Sequence, residues 1–310
     1  LIGIDVGGAN VKVVSGGRAD TIYCPLWREA PLGEILSRYD CAEEEDVAVV
    51  MSGELADCFL TKMEGIRWIV ETVQEIFPGA LFYGTDGEFH DSPVPALAAA
   101  NWLASATYLH SLYPTGLLVD MGSTTTDIIP LTNPASHHGL TDLTRLQKGY
   151  LLYTGLLRTT IPAVIRSVVI DDIPTPVSAE YFSASADAHL VLGHIGSAGY
   201  TCDTPDGKGK DRESCLRRLA RVVCADLDEI GEDGAMQVAG TFWDMQRSMI
   251  GNAVSRAKQA SGSGFVLTAG VGAGLLASAL GARDLSADLG PITDALPAFA
   301  VREVLKRNPG

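Results

Sequence analysis

Short apolar runs broken by glycine open the chain, and their period of two predicts strands near 1–6, 10–15 and 18–24. A helix near 31–39, a strand at 46–51, a helix over 54–77, a strand at 80–83 and an Ala-rich helix over 93–111 follow. Tyr113-Pro114-Thr115-Gly116 then breaks the pattern, and the plan restarts. Strands are expected near 116–121 and 125–130, then an extended Thr-rich region to 152 and a β-rich or irregular insertion over 164–204. Helices over 211–226 and 233–260 lead to a strand at 264–268 and a glycine-rich turn. The last amphipathic stretch, 292–306, finishes in Arg302, Lys306 and Arg307, which suits a helix C-terminus, and is expected to cross back onto the first half.

Three strands followed by alternating helix and strand is the order of ribonuclease-H-like domains in actin-like ATPases and sugar kinases, an analogy of topology. The expected fold is therefore α/β, with two ribonuclease-H-like domains and a ligand cleft between them. Residues 1–113 would form the first, and 116–310 the second, with the insertion near 164–204 and the returning C-terminal helix.

The chemistry is concentrated in two turns, each led by an aspartate at the end of an apolar run. Ile4-Asp5-Val6-Gly7-Gly8-Ala9-Asn10-Val11-Lys12 opens the first half, and Val119-Asp120-Met121-Gly122-Ser123-Thr124-Thr125-Thr126-Asp127 opens the second. Gly7, Gly8 and Gly122 leave backbone N–H groups free to face an anion. Asn10, Lys12, Ser123, Thr124 and Thr125 add polar donors and a point charge. Asp5 and Asp120 suit a hydrated Mg²⁺, which takes one or two carboxylates together with phosphate oxygens. An apolar strand resumes after each turn, so both are expected to be hairpins closing on phosphate. A third turn, 268–274, contains Gly270 and Gly272; these glycines serve either close packing of helix on strand or close approach to a phosphate.

Composition narrows the partners. A net charge of −15 argues against nucleic acid, which needs clustered cations. No apolar run reaches the length of a membrane span, and the start lacks signal-peptide organisation, so a cytoplasmic protein is expected. Cys24, Cys41, Cys58, Cys202, Cys215 and Cys224 form no C-x-x-C pair, which argues against a zinc ribbon or dithiol centre and for reduced, structural cysteines. His137-His138 is expected on a loop surface. The stretch 202–210, with Gly-Lys pairs that lack Walker spacing, is expected to be a mobile surface loop or lid.

The paired turns resemble the phosphate-1 and phosphate-2 motifs of the actin, sugar kinase and heat-shock chaperone ATPase superfamily, within it the hydantoinase A and oxoprolinase-like branch. Residues 270–274 resemble a degenerate adenosine motif. Met51-Ser52-Gly53-Glu54-Leu55-Ala56-Asp57, Tyr83-Gly84-Thr85-Asp86-Gly87, Asn101-Trp102 and Tyr153-Thr154-Gly155-Leu156-Leu157-Arg158-Thr159 further resemble the methanofuran-pathway synthases linked to tetrahydromethanopterin one-carbon transfer.

That resemblance implies a transferase joining an aminomethylfuran-methyl diphosphate to the phenol oxygen of γ-glutamyltyramine with release of diphosphate. Its partners would be the small-molecule diphosphate and the phenolic amine; a homo-oligomer stays open. By the same resemblance Asp5 and Asp120 contact Mg²⁺, and Gly7, Gly8, Asn10, Lys12, Gly122, Ser123, Thr124, Thr125, Gly270 and Gly272 meet phosphate. Asp120 or Asp127 accepts the proton, and Arg158 clamps phosphate or the glutamyl carboxylate. Glu54 and Asp57, read as sharing a helix face, and the aromatic Tyr83 and Trp102 are candidate substrate contacts. The adenosine motif lacks an adjacent glycine pair, which leaves ATP open as a ligand. Two alternatives stand beside the transferase: an ATP-dependent small-molecule kinase or ligase, and a nucleotide-sensing or filament-forming module without catalysis.

Overall fold

The computed structural model describes residues 1–28, 31–39 and 46–307, so Cys41 lies outside it. In its first half β1 (Ile2–Val6), β2 (Asn10–Ser15) and β3 (Arg18–Tyr23) form an antiparallel meander, and α1 (Leu32–Leu36) leads to β4 (Val47–Met51), parallel to β1. Both β1 and β4 are buried along their whole length, which is why they appear in sequence as nearly unbroken apolar runs. After α2 (Lys62–Ile76) come β5 (Leu81–Tyr83) and β6 (Phe89–His90), giving a sheet of order β3-β2-β1-β4-β5-β6, and α3 (Asn101–His110) completes this half.

The second half repeats the plan. β7 (Gly116–Met121) and β8 (Thr126–Pro130) pair antiparallel, and α4 (Asp142–Lys148) precedes β9 (Leu151–Leu152). Next come a hairpin of β10 (Ser167–Ile170) and β11 (Ile173–Pro176), then α5 (Ser185–Val191), α6 (Arg212–Arg221) and α7 (Leu227–Ser261). After them β12 (Phe265–Ala269), α8 (Ala273–Leu280) and β13 (Arg283–Asp284) complete a sheet of order β13-β12-β7-β8-β9, with β12 parallel to both β7 and β13. Read from its other edge, that order is three antiparallel strands followed by two parallel ones, the order of β3-β2-β1-β4-β5. The fold is thus two ribonuclease-H-like α/β units. α9 (Ser286–Leu289) leads to α10 (Leu296–Arg307), which packs on α3, β1 and β4 of the first half; Arg302 donates to the Gly16 carbonyl at 2.8 Å.

Several elements differ from expectation. Residues 54–61 are turns, not helix: Thr61 caps α2 by accepting from the Glu64 N–H, so Glu54 and Asp57 share no helix face. The stretch before 152, expected extended, contains α4, capped by reciprocal Thr141–Thr144 bonds and ended by Gly149 at φ 71°. The insertion carries the buried helix α5 besides its hairpin. Gly231, at φ 66°, interrupts α7 near its start. His137 is buried, bonded through Nε2 to the Pro130 carbonyl at 3.0 Å, and burial lowers its pKa. The loop 202–210 is tied down, because Arg218 donates to Asp206 Oδ1 and to the Gly209 carbonyl, both at 3.0 Å.

Candidate active site

Direct cross-strand partners present their side chains on one face of a sheet. Asp5 stands opposite Lys12 in the first half, and Asp120 opposite Asp127 in the second. The same turn closes each hairpin: Gly7 donates to the Asn10 carbonyl at 3.0 Å, and Gly122 to the Thr125 carbonyl at 2.9 Å. The next parallel strand also repeats. After β4, Ser52 and Gly53 donate to the Val6 carbonyl at 3.0 and 3.1 Å; after β12, Gly272 donates to the Met121 carbonyl at 3.0 Å. Two copies of one scaffold therefore face each other, one with a cation on its second strand and the other with a carboxylate.

The cleft floor is strongly anionic. Lys12 lies 3.8 Å from Asp5 Oδ2 and also acts electrostatically on Asp120, Asp127 and Asp294. Burial raises the Asp5 carboxyl against the pull of Lys12, and Asp5 Oδ1 has no hydrogen-bond partner. Burial also pushes Asp120 up to about 7, opposed by Lys12 and reinforced by Asp127, Asp5 and Asp294. Asp127 is raised by burial and restrained by Arg145 of α4, which bonds it and also donates to Asp142 at 2.9 Å. Among the described residues no three His, Cys, Asp or Glu side chains form a metal cage. One lysine among four carboxylates and an orphaned Asp5 oxygen nevertheless suit a Mg²⁺ that keeps most of its water shell.

A cavity of about 180 Å³ opens beside the two turns, reached by Ala9 and Asn10 of the first and by Ser123 of the second. Tyr23, Trp27 and Tyr181 supply aromatic walls, and Arg28 and Arg158 supply cations. Arg158 stacks over Trp27 with Cζ 4.6 Å from the ring centre. Across the cleft, Asp203 takes Arg28 at 3.2 Å and the Tyr23 hydroxyl at 3.4 Å.

The second turn is braced from behind. Leu156 donates to the Gly122 carbonyl at 3.0 Å, and Leu157 and Arg158 to the Ser123 carbonyl at 3.0 and 2.9 Å. The third turn lies directly against the second: a Cβ on Gly270, at φ +79°, would come within 2.3 Å of Asp120 Oδ1, and one on Gly272 within 2.5 Å of Met121 Sδ. Space is open around Gly8.

Of the residues singled out from sequence, the fold gathers Asp5, Lys12, Asp120 and Asp127 on the cleft floor and Asn10, Ser123 and Arg158 at the cavity. Thr124 and Thr125 sit beside Ser123 in the turn. Glu54 is buried next to the first turn, while Asp57 is exposed. Tyr83 is a core residue, its ring tilted against Phe89 and its hydroxyl bonded to Thr107 at 3.1 Å. Trp102 is buried beneath Arg145, whose Cζ lies 4.5 Å from the ring centre. Sequence reasoning missed Arg145, Asp294, Trp27, Arg28, Tyr181 and Asp203. The Thr141-x-x-Thr144 cap with a closing Gly149 was the signal for α4 and hence for Arg145; the others come together only in the fold.

A family model described as hydantoinase/oxoprolinase matches residues 45–290. A protein of Methanocaldococcus jannaschii, named (4-{4-[2-(gamma-L-glutamylamino)ethyl]phenoxymethyl}furan-2-yl)methanamine synthase, is 35% identical, the match covering 99% of this chain and 98% of that one. A Methanococcus vannielii protein of the same name is 36% identical over 61% of this chain and 90% of its own. Among solved structures, a ROK family glucokinase from Streptomyces griseus superposes with a TM-score of 0.46 at 12% identity, covering 99% of both chains.

Proposed function

The chain belongs to the hydantoinase/oxoprolinase family, and from that premise we propose that it is a transferase that joins a furanylmethyl diphosphate to the phenol oxygen of γ-glutamyltyramine and releases diphosphate. The observation that carries this is the pair of facing aspartate-led turns opening on one aromatic, arginine-bearing cavity. The names of the two relatives describe a product with a phenoxymethyl link to a furan, which supports the same substrates.

In the reaction the bond between the furanylmethyl carbon and diphosphate breaks, and its electron pair leaves with the diphosphate. The phenol oxygen forms the new bond to that carbon and gives up its proton. Backbone N–H groups of the two turns, with Lys12, Asn10, Ser123, Thr124 and Thr125, stabilise charge developing on the leaving group. Asp5 and Asp120 would hold a Mg²⁺ through its water shell, and the ion would supply further charge neutralisation to the departing diphosphate. The phenol ring lies among Tyr23, Trp27 and Tyr181, and the glutamyl carboxylate meets Arg158 and Arg28. Asp120 accepts the phenol proton, because Asp127 is committed to Arg145. The third turn, around Gly270 and Gly272, has no adjacent glycine pair, which favours a diphosphate substrate over ATP.

The test is incubation with Mg²⁺, γ-glutamyltyramine and the furan diphosphate, measuring released diphosphate and the ether product. Asp5→Asn and Asp120→Asn should each lose at least ~100-fold in rate with the fold intact. No product, together with tight ATP binding by calorimetry, would replace this proposal with a kinase or ligase.

A further inference from the structure

Three charged side chains line the cavity beside the two turns, and the protein pairs them unevenly. Arg158 stacks on Trp27, and among the described residues its guanidinium makes no ion pair and no hydrogen bond. Stacking uses the flat face of a guanidinium and leaves the N–H donors in its plane for another partner. Asp203 is the one carboxylate among the described residues that line the cavity. Its two contacts, Arg28 at 3.2 Å and the Tyr23 hydroxyl at 3.4 Å, both fall on Oδ2, and no hydrogen bond to Oδ1 is made among the described residues. The Arg28 and Asp203 side chains are 64% and 63% exposed, and an ion pair in that much water contributes little stability. It is no brace between the halves, and the carboxylate stays within reach of a ligand.

The segment that carries Asp203 is nevertheless anchored. Cys202 donates from Sγ to the Leu157 carbonyl at 3.8 Å, so the next residue on each segment, Asp203 and Arg158, lines the same cavity. Farther along the loop, Arg218 holds Asp206 Oδ1 and the Gly209 carbonyl, both at 3.0 Å. A carboxylate presented from an anchored loop avoids much of the ordering cost that a free loop would meet on binding.

The charges select the ligand. A purely anionic group would meet Asp203 as a like charge, and a simple amine would meet two guanidiniums. A carboxylate and an ammonium on one carbon satisfy both. We propose that the cavity contains an α-amino acid subsite, in which Arg158 takes the α-carboxylate of the γ-glutamyl group, with Arg28 beside it, and Asp203 Oδ1 takes the α-ammonium. The inference rests on the transferase proposal for the identity of the acceptor. It makes Asp203 a specificity-determining residue, oriented through Oδ2 by Arg28 and Tyr23 of the first half while it reads the ligand from the second.

Calorimetry compares γ-glutamyltyramine with N-glutaryltyramine, which lacks the α-amino group, and with N-(4-aminobutanoyl)tyramine, which lacks the α-carboxylate. Wild-type protein should bind the first about 10-fold more tightly than either of the others, the loss expected when one charged hydrogen-bonding partner is removed. Asp203→Asn should lose the preference over N-glutaryltyramine and keep the preference over the aminobutanoyl compound, with a thermal melt confirming that the variant is folded. If Asp203 only joined the two halves through Arg28, the variant would weaken all three ligands alike and leave both ratios standing. That result would overturn the inference, as would wild-type protein that binds none of the three or does not distinguish the first two. In the transferase assay the same ratio should appear in kcat/KM for γ-glutamyltyramine and N-glutaryltyramine. If no diphosphate is released while the binding preference holds, the proposed reaction falls and the subsite stands; equal kcat/KM for the two acceptors would keep the reaction and remove the subsite.

Discussion

Gly155→Ala perturbs the second aspartate-led turn, the proposed phosphate site, from behind without touching a side chain of the site. A Cβ at this position would stand 2.6 Å from the Thr124 nitrogen and carbonyl carbon and 2.7 Å from the Ser123 carbonyl carbon. Ordinary contact begins at 3.4 Å, so either the Gly155 segment or the turn must yield by about 0.8 Å. The segment is poorly placed to yield. Its N–H bonds Thr159 Oγ1 at 2.8 Å, its carbonyl takes Gln246 Nε2 at 3.0 Å, and the preceding Thr154 carbonyl takes Thr126 Oγ1 at 2.7 Å.

The displacement therefore falls on Ser123 and Thr124, in a turn whose Gly122 and Ser123 carbonyls the next three residues tie to the same segment. Overpacking of this kind costs roughly 1–3 kcal/mol of stability. A misplacement approaching 1 Å at a catalytic group costs about 100-fold in rate. The assay pairs diphosphate release with urea unfolding, and Gly240→Ala provides a control, because its Cβ would meet nothing within 4 Å. In a helix interior that control should gain about 0.5–1 kcal/mol and leave the rate unchanged. A Gly155→Ala protein with wild-type kcat/KM would refute the argument that this segment positions the phosphate turn.

Further outcomes follow from individual groups. The Glu54 carboxyl titrates near 4.5 unfolded and is raised to about 7 in the fold, so its contribution to stability is complete below pH 4.5 and is lost as pH rises through about 7. That gap corresponds to about 3 kcal/mol, and urea unfolding of Glu54→Gln from pH 5 to 8 should show a correspondingly shallower decline than wild type; identical slopes would contradict the burial argument. Arg158→Lys keeps the charge but loses the flat guanidinium stacked on Trp27, and should raise KM for γ-glutamyltyramine about 10-fold with a smaller effect on kcat. Arg218 donates to the fully buried Asp187 from Nε at 3.0 Å and Nη2 at 2.8 Å. Arg218→Met leaves that carboxylate unpaired, and the denaturation midpoint should reveal a loss of about 3–5 kcal/mol.

What could be read from sequence was what one strand or one turn encodes by itself. β1 and β2 fall where the apolar runs put them because Ile2, Ile4, Val6, Val11 and Val13 share one core, and Asp5 and Asp120 are conspicuous because a carboxylate at the end of a buried strand violates that pattern. Glu54 and Arg145 were harder for a shared reason. Each depends on a cap that ends or begins a helix: Thr61 holds the residues before α2 in turns, and Thr141 starts a helix inside a Thr-rich stretch whose composition favours extended structure. Asp203, Trp27 and Tyr181 carry no local signal, since their meeting is a property of how the two sheets face each other.

The repeated scaffold makes the asymmetry of the site informative. Lys12 and Asp127 occupy equivalent register positions, opposite Asp5 and Asp120, on strands of the same order. Sheet geometry alone would accept either residue at either place, so the difference must come from what surrounds each strand. Lys12 is surrounded by Asp5, Asp120, Asp127 and Asp294, and Asp127 also takes the Arg145 guanidinium of α4. The Arg145 guanidinium also reaches Asp142 and covers Trp102, so the second half spends a cation on holding its own carboxylates while the first half keeps Lys12 at the cleft. On the proposed mechanism Lys12 is the cation that follows charge onto the leaving group, while Arg145 holds Asp127 and Asp142 in the floor beneath it.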